Sequence, residues 1–214
     1  MIAASNRQIL LSGAFLSLFA VVGTTLVALT EFTTAETIVE NERQVLLRNL
    51  HALLPPERFD NDIASDILEL SASPLLGTEE ISTAYRARLA GEPVAAIFSS
   101  IAPNGYSGRI HLLVGLYVDG SVAGVRVIKH AETPGLGDAI EIRKSPWITV
   151  FDGKSLDNPD ADGWRVKRDG GEFDQLTGAT ITPRAIVAAV RNTLLYYQQN
   201  ADMIFEKRQG HDEQ

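Results

Sequence analysis

The sequence predicts an α+β protein: one N-terminal transmembrane helix followed by a single domain in which antiparallel strands and helices are segregated along the chain. Three observations carry this. Ile9 to Thr30 is an uncharged, mostly apolar run. Between Ala84 and Ile128, short strand-like segments alternate with turn dipeptides. From Pro183 to Glu206, apolar residues recur at helical spacing.

The first run, ILLSGAFLSLFAVVGTTLVALT, would be about 33 Å long as a helix, enough to cross a hydrocarbon core of about 30 Å. A cleaved signal peptide is the alternative. Its apolar core is normally shorter, and Ala28-Leu29-Thr30 is a poor cleavage site, which favours a retained anchor. Arg7 and the terminal amine precede the span, whereas Glu31, Glu36 and Glu40 follow it. The positive-inside rule then puts residues 1–8 in the cytoplasm and everything after residue 30 outside it.

Ala35 to Leu54 carries Ile38, Val45, Leu46, Leu50 and Leu53 at helical spacing and stops at Pro55-Pro56. Asp60 to Leu70 is a second, shorter helical candidate, so residues 31–80 are expected to form a helical stalk and N-terminal helices. Strands are expected at Ala84–Ala90 and Val94–Ile101 around Gly91-Glu92, and at Ile110–Val118 and Val122–Ile128 around Asp119-Gly120. Asp-Gly suits a type I′ turn, in which both central residues need positive φ. A third pair, Trp164–Arg168 and Glu172-Phe173, flanks Asp169-Gly170-Gly171. The closing helix presents Ile186, Val187, Val190, Leu194 and Leu195 on one face. The soluble domain is thus expected over residues 81–207, with a frayed tail at 208–214.

Composition narrows the function. A net charge of -8 argues against nucleic acid, which selects basic surfaces. The absence of cysteine excludes disulfides, thiolate-bound iron–sulfur clusters, c-type haem attachment and cysteine nucleophiles. His51, His111, His130 and His211 have no metal-ligand spacing, so no metal site is expected.

Two runs carry chemistry. In Thr177-Gly178-Ala179-Thr180-Ile181-Thr182-Pro183, Thr182 followed by Pro183 has the form of a helix N-cap and first turn. Thr180 then stands just before a helix N-terminus, where free N–H groups and the positive dipole end favour phosphate. Gly178 and Ala179 let a bulky ligand approach the backbone. A plain turn and cap account for the same residues. In His130-Ala131-Glu132-Thr133-Pro134-Gly135-Leu136-Gly137-Asp138, Pro134-Gly135 suits a type II turn, and a turn leaving a strand is the simple account.

Taken with its upstream aspartate, the run Asp174-Gln175-Leu176-Thr177-Gly178-Ala179-Thr180 resembles the flavinylation motif of periplasmic FMN-binding domains. Glu132-Thr133-Pro134-Gly135-Leu136-Gly137 resembles a signature shared by the G component of the Rnf-type (Rsx) electron transport complex and the C component of the sodium-pumping NADH:quinone reductase. His130, Gly105-Tyr106-Ser107-Gly108 and the compact length lean towards the Rnf-type protein. The resemblance covers nearly the whole chain, including the anchor. It implies FMN attached to Thr180 through a phosphoester, installed by a flavin transferase from FAD, with Asp174 part of the motif the transferase requires. It also implies flavin contacts at Thr177, Gly178, Ala179, Ile181 and Thr182, and at Glu132, Thr133, Leu136 and Gly137. Trp147 and Lys154 are weaker candidates, since a lone Trp is more often packing and a lone Lys more often solvated.

The implied function is an electron-carrying flavoprotein within a bacterial inner-membrane complex that couples electron flow between ferredoxin and NAD to ion movement. Its partners would be the other members of the complex and, during maturation, the transferase. No residue would be catalytic by itself. The rivals are the quinone-reductase component, with the same local chemistry, and an anchored binding or scaffold module with no flavin.

Overall fold

A computed structural model describes residues 2–206; the expected tail at 208–214, and His211 within it, lie outside the described residues. The chain divides into two compact units between Leu46 and Leu47. The long N-terminal helix α1 runs from Ile2 to Leu53; its residues up to Leu46 make up the first unit, and its last residues, 47–53, belong to the second. Within α1, Gln8–Ala35 is long and apolar enough to cross a membrane.

The second unit is built on a five-stranded antiparallel meander in the order β1-β2-β3-β4-β5. The strands are β1 (Ile67–Leu70), β2 (Ser82–Leu89), β3 (Glu92–Gly105), β4 (Gly108–Tyr117) and β5 (Val122–Lys129). The closing helix α2 spans Ile181–Phe205. It packs on β3 and β4, burying Ile186, Val187, Val190 and Leu194 with Phe98, Leu112, Val114 and Leu116. Phe98 meets the rings of Tyr196 and Tyr197 edge-on. Strand residues alternate between faces, so Ala95, Ile97 and Leu113 turn the other way, and they are buried too. Leu50, Leu53, Leu54 and Ile63 are also buried outside the α2 core, and the Leu53 side chain lies against Gly124 of β5. Arg126 of β5 donates to the Ala52 carbonyl at 2.8 Å, a cation on the last turn of α1.

Three local expectations change. Asp60–Leu70 does not form a helix: Ile67–Leu70 joins the sheet as its edge strand, so the sheet begins inside the 31–80 segment. The reason is a partly buried ion cluster of one acid and two arginines. Asp66 accepts from Arg86 Nε at 2.8 Å and from Arg88 Nε at 3.0 Å, which draws the segment alongside β2. The Asp119-Gly120 turn is not type I′. Only Gly120 has positive φ (82°), and Tyr117 bonds both Gly120 and Ser121, the pattern of a type I turn closed by a glycine bulge. The pair of positive φ values falls instead at Ala90 (52°) and Gly91 (82°), one residue earlier than the Gly91-Glu92 turn expected between β2 and β3. Finally, Trp164–Arg168 and Glu172-Phe173 form no hairpin. They meet through a single parallel bridge, Val166 to Phe173, around a 3-10 turn at Lys167–Asp169. Trp164, Phe173, Phe151 and Trp147 pack as an aromatic cluster that replaces strand pairing as the organiser of this segment.

The topology brings the two motif runs together. Antiparallel pairing puts the end of β3, the start of β4 and the end of β5 at one edge of the sheet, with His111 opposite Lys129. The β3–β4 turn, the loop after β5 and the start of α2 converge there, and a cleft opens between them.

Candidate functional site

The cleft has a volume of about 410 Å³ and is lined by Tyr106, Glu132, Thr133, Leu136, Gly137, Gly178, Ala179, Thr180, Ile181 and Thr182. That volume lies in the range of small-molecule and cofactor sites.

Its floor is organised by Glu132, which is only 4% exposed. One carboxylate oxygen accepts the Ser107 N–H at 2.9 Å, and the other accepts the Thr182 hydroxyl in a short bond. One side chain thus ties together the β3–β4 turn, the loop after β5 and the first turn of α2. The fit depends on glycine. A Cβ on Gly105 or on Gly137 would stand 2.9 Å from a carboxylate oxygen of Glu132. The backbone N–H of Glu132 donates to His130 Nδ1 at 3.0 Å, so the imidazole carries its proton on Nε2, which lies 3.1 Å from Glu141. Lys144 bridges Asp138 and Glu141 at 2.7 Å each, and this ammonium is the main reason both carboxyl groups are held below their usual range.

The second wall is the motif loop. Ala179 N–H bonds the Leu176 carbonyl at 3.0 Å across a turn whose third residue, Gly178, has φ 78°. Opposite it, Leu136 N–H bonds Thr133 across Pro134-Gly135, with Gly135 at φ 76°, the expected type II form. The two loops touch: a Cβ on Gly178 would come within 2.8 Å of the Leu136 side chain. Trp147 donates its indole N–H to the Asp174 carbonyl at 2.7 Å, so it anchors the start of the motif loop from the core and does not line the cleft. Lys154 pairs with Glu172 at 3.6 Å, outside the cleft. Thr177 is exposed on the turn, and Asp174 is exposed with its carboxylate 2.7 Å from Lys167.

The helix begins two residues earlier than expected. Ile181 is its first residue and Thr180 the flanking one, so Thr182 is not the cap. The side chain of Thr180 makes no capping bond. Its hydroxyl sits half-buried at the cleft, 3.5 Å from Arg168 Nη1. Oγ of Thr180, the unpaired first N–H groups of α2 and a guanidinium therefore occupy one corner, a chemistry that suits a phosphate. The largely apolar and backbone lining, with exposed Tyr106 among its residues, suits an aromatic ligand. In the sequence Tyr106 and Ser107 stand out only as part of a resembling segment, and Arg168 only as the end of an expected strand, because the loop that brings it to Thr180 forms through tertiary contacts.

Residues 105–195 match the family model of the FMN-binding domain, and residues 1–53 match that of the RnfG N-terminal region. The chain is 52% identical to the G component of the ion-translocating oxidoreductase complex of Pseudoalteromonas atlantica over 194 residues, 91% of this chain and 90% of the relative. It belongs to the G-component family of ion-translocating oxidoreductase complexes. The corresponding protein of Pseudomonas aeruginosa is 48% identical over 212 residues, covering 98% of this chain and 99% of the relative. That of Shewanella baltica is 48% identical over 194 residues, covering 91% and 92%. The match to the FMN-binding domain spans the β3–β4 turn, the Glu132 loop and the start of α2, so every residue that lines the cleft falls within it.

Proposed function

We propose that this chain is the flavoprotein component of a membrane-bound ion-translocating oxidoreductase complex and carries electrons on FMN held through a phosphoester to Thr180. The observation that carries this is the position of Thr180: an uncapped hydroxyl at the start of a 25-residue helix, opening onto a cleft within the FMN-binding segment. When bound, FMN supplies the capacity to accept and release electrons. The chain does the rest. Thr180 and the helix start hold the phosphate end, the Gly178 turn and Leu136 shape the walls, and the Glu132–Thr182–Ser107 cluster keeps the loops in register.

Maturation needs a flavin transferase. The Thr180 Oγ attacks the FMN phosphorus of FAD, an O–P bond forms, the pyrophosphate bond breaks, AMP leaves and the hydroxyl proton is lost. Asp174 stands exposed, where a second enzyme can reach it, which fits a role in that encounter rather than in holding mature flavin. Gln8–Ala35 anchors the chain in the bacterial inner membrane, with the N-terminus in the cytoplasm and the cleft on the periplasmic side, where a dissociable flavin would be lost by dilution. The other members of the complex, coupling ferredoxin and NAD to ion movement, are its partners.

The test uses the full chain produced in a host that has the transferase. The denatured band should fluoresce under ultraviolet light, and Thr180→Ala should abolish the signal. A dark wild-type band favours an anchored module without flavin, and a fluorescent Thr180→Ala band removes Thr180 as acceptor. The chain has no cysteine, so single-cysteine variants can be labelled with a membrane-impermeant maleimide to read orientation. Labelling of the cleft-bearing domain only after lysis refutes the periplasmic placement.

A further inference from the structure

We infer that Arg168 is the charge partner of the phosphate on Thr180, a positioning residue that governs both loading of the flavin and the environment of the finished phosphodiester. The inference rests on the reading of Thr180 given above and adds a residue from outside both motifs.

Four cations surround the motif loop and the start of α2. Arg165 is held by Asp162 at 2.7 Å, Lys167 by Asp174 at 2.7 Å, and Arg184 by Asp169 through two bonds at 2.6 and 2.8 Å. Arg168 differs: its hydrogen bond runs from Nη1 to Thr180 Oγ1 at 3.5 Å. A contact that long with a neutral hydroxyl is worth little by itself. It becomes informative once an anion is built on that oxygen, because a phosphoester on Oγ sets charged oxygens beside a guanidinium whose planar fork suits them.

The neighbouring ion pairs explain why Arg168 points there. Lys167–Asp169 is a 3-10 turn closed by Gly170 at φ 86°. Its last residue, Asp169, is clamped to Arg184 on the first turns of α2, and its first residue, Lys167, is clamped to Asp174 at the head of the motif loop. Arg168 is thus fastened on both sides, between the helix that presents Thr180 and the loop that precedes it. Phosphate attached elsewhere in the cleft would not have this partner. Among the described residues that line the cleft, the only ionisable one besides Tyr106 is Glu132, an acid already satisfied by Ser107 and Thr182.

The experiment loads purified full-length apoprotein in detergent with transferase and FAD, and compares wild type, Arg168→Gln, Arg168→Lys and Thr180→Ala. Covalent flavin per chain is followed with time, and the phosphodiester is then observed by phosphorus NMR. The expectation is a loading rate lowered about tenfold or more in Arg168→Gln, the scale of a lost charge-assisted hydrogen bond, with partial recovery in Arg168→Lys. The phosphorus resonance of loaded Arg168→Gln should shift while its circular dichroism matches wild type. A wild-type rate together with an unshifted resonance in Arg168→Gln overturns the inference. A rate defect with an unshifted resonance also overturns it, because Arg168 then acts on the transferase alone. Loading of Thr180→Ala overturns the underlying reading of Thr180 instead, and a wild type that takes no flavin removes both.

Discussion

Thr180 and Thr182 stand two residues apart in one motif, and the structure divides their labour sharply enough to measure. Thr182 is fully buried, and its hydroxyl donates to the buried carboxylate of Glu132, whereas Thr180 is half-buried with one long contact. Thr182→Val keeps the shape and removes the donor. A hydrogen bond to a charged group is worth about 1.5–3 kcal/mol, and burial limits compensation by water. Glu132 still accepts from Ser107, which puts the expected loss near the lower part of that range, at about 2 kcal/mol. For a unit of this size that corresponds to about 4–8 °C in Tm. Both tryptophans, Trp147 and Trp164, are buried in the sheet-bearing unit, so urea or thermal unfolding of the full chain in detergent can be followed by their fluorescence. Thr180→Ala in the same assay should stay within about 0.5 kcal/mol. A double-mutant cycle with Glu132→Gln should show coupling of about 1 kcal/mol between residues 132 and 182. A Thr182→Val variant as stable as wild type, or a Thr180→Ala variant that unfolds as readily as Thr182→Val, would refute this division.

Gly178→Ala should lose about 1–2 kcal/mol, because alanine must take φ 78° and its Cβ would press on Leu136; unchanged stability would show that the turn relaxes freely. Trp147→Phe removes the indole bond to the Asp174 carbonyl, and about 1 kcal/mol of stability together with slower flavin loading should go with it; normal loading would show that the motif loop does not depend on that anchor. Asp174→Asn should slow loading while leaving unfolding within about 0.5 kcal/mol, since its carboxylate is exposed; equal loading rates would remove its role with the transferase. Asp138 and Glu141 are held low mainly by Lys144, so their contribution is present above the unfolded carboxyl range and is lost as pH falls through their lowered folded values. Lys144→Gln should flatten the acid limb of the stability–pH curve, and an unaltered acid limb would show that the ammonium does not set it.

Much of the site was legible because its residues lie in two continuous runs. Glu132, Thr133, Leu136 and Gly137 occupy one, and Gly178, Ala179, Thr180, Ile181 and Thr182 the other, and all of them line the cleft. Their arrangement was less legible. Thr182-Pro183 has the form of a helix start, yet α2 begins at Ile181, because the Thr182 hydroxyl is drawn to Glu132 instead of capping the helix. Asp60–Leu70 has a helical pattern, but pairing with β2 and the grip of Asp66 on Arg86 and Arg88 override local propensity. Arg168 had no local signature, since it reaches Thr180 through a loop shaped by aromatic packing and two ion pairs.

By itself the sequence determined the class of the protein. An uncharged apolar run, turn dipeptides between strand-like segments and an apolar-faced closing helix specify a helix long and apolar enough to span a membrane and an α+β domain, because hydrophobic period and backbone permissiveness are local properties. The tertiary structure alone decided which threonine is free and which is bound, and which cation stands beside the free one. Those outcomes depend on groups far apart in the chain, Thr182 with Glu132 and Thr180 with Arg168, that meet only when β3, β4, β5 and α2 come together at one edge of the sheet.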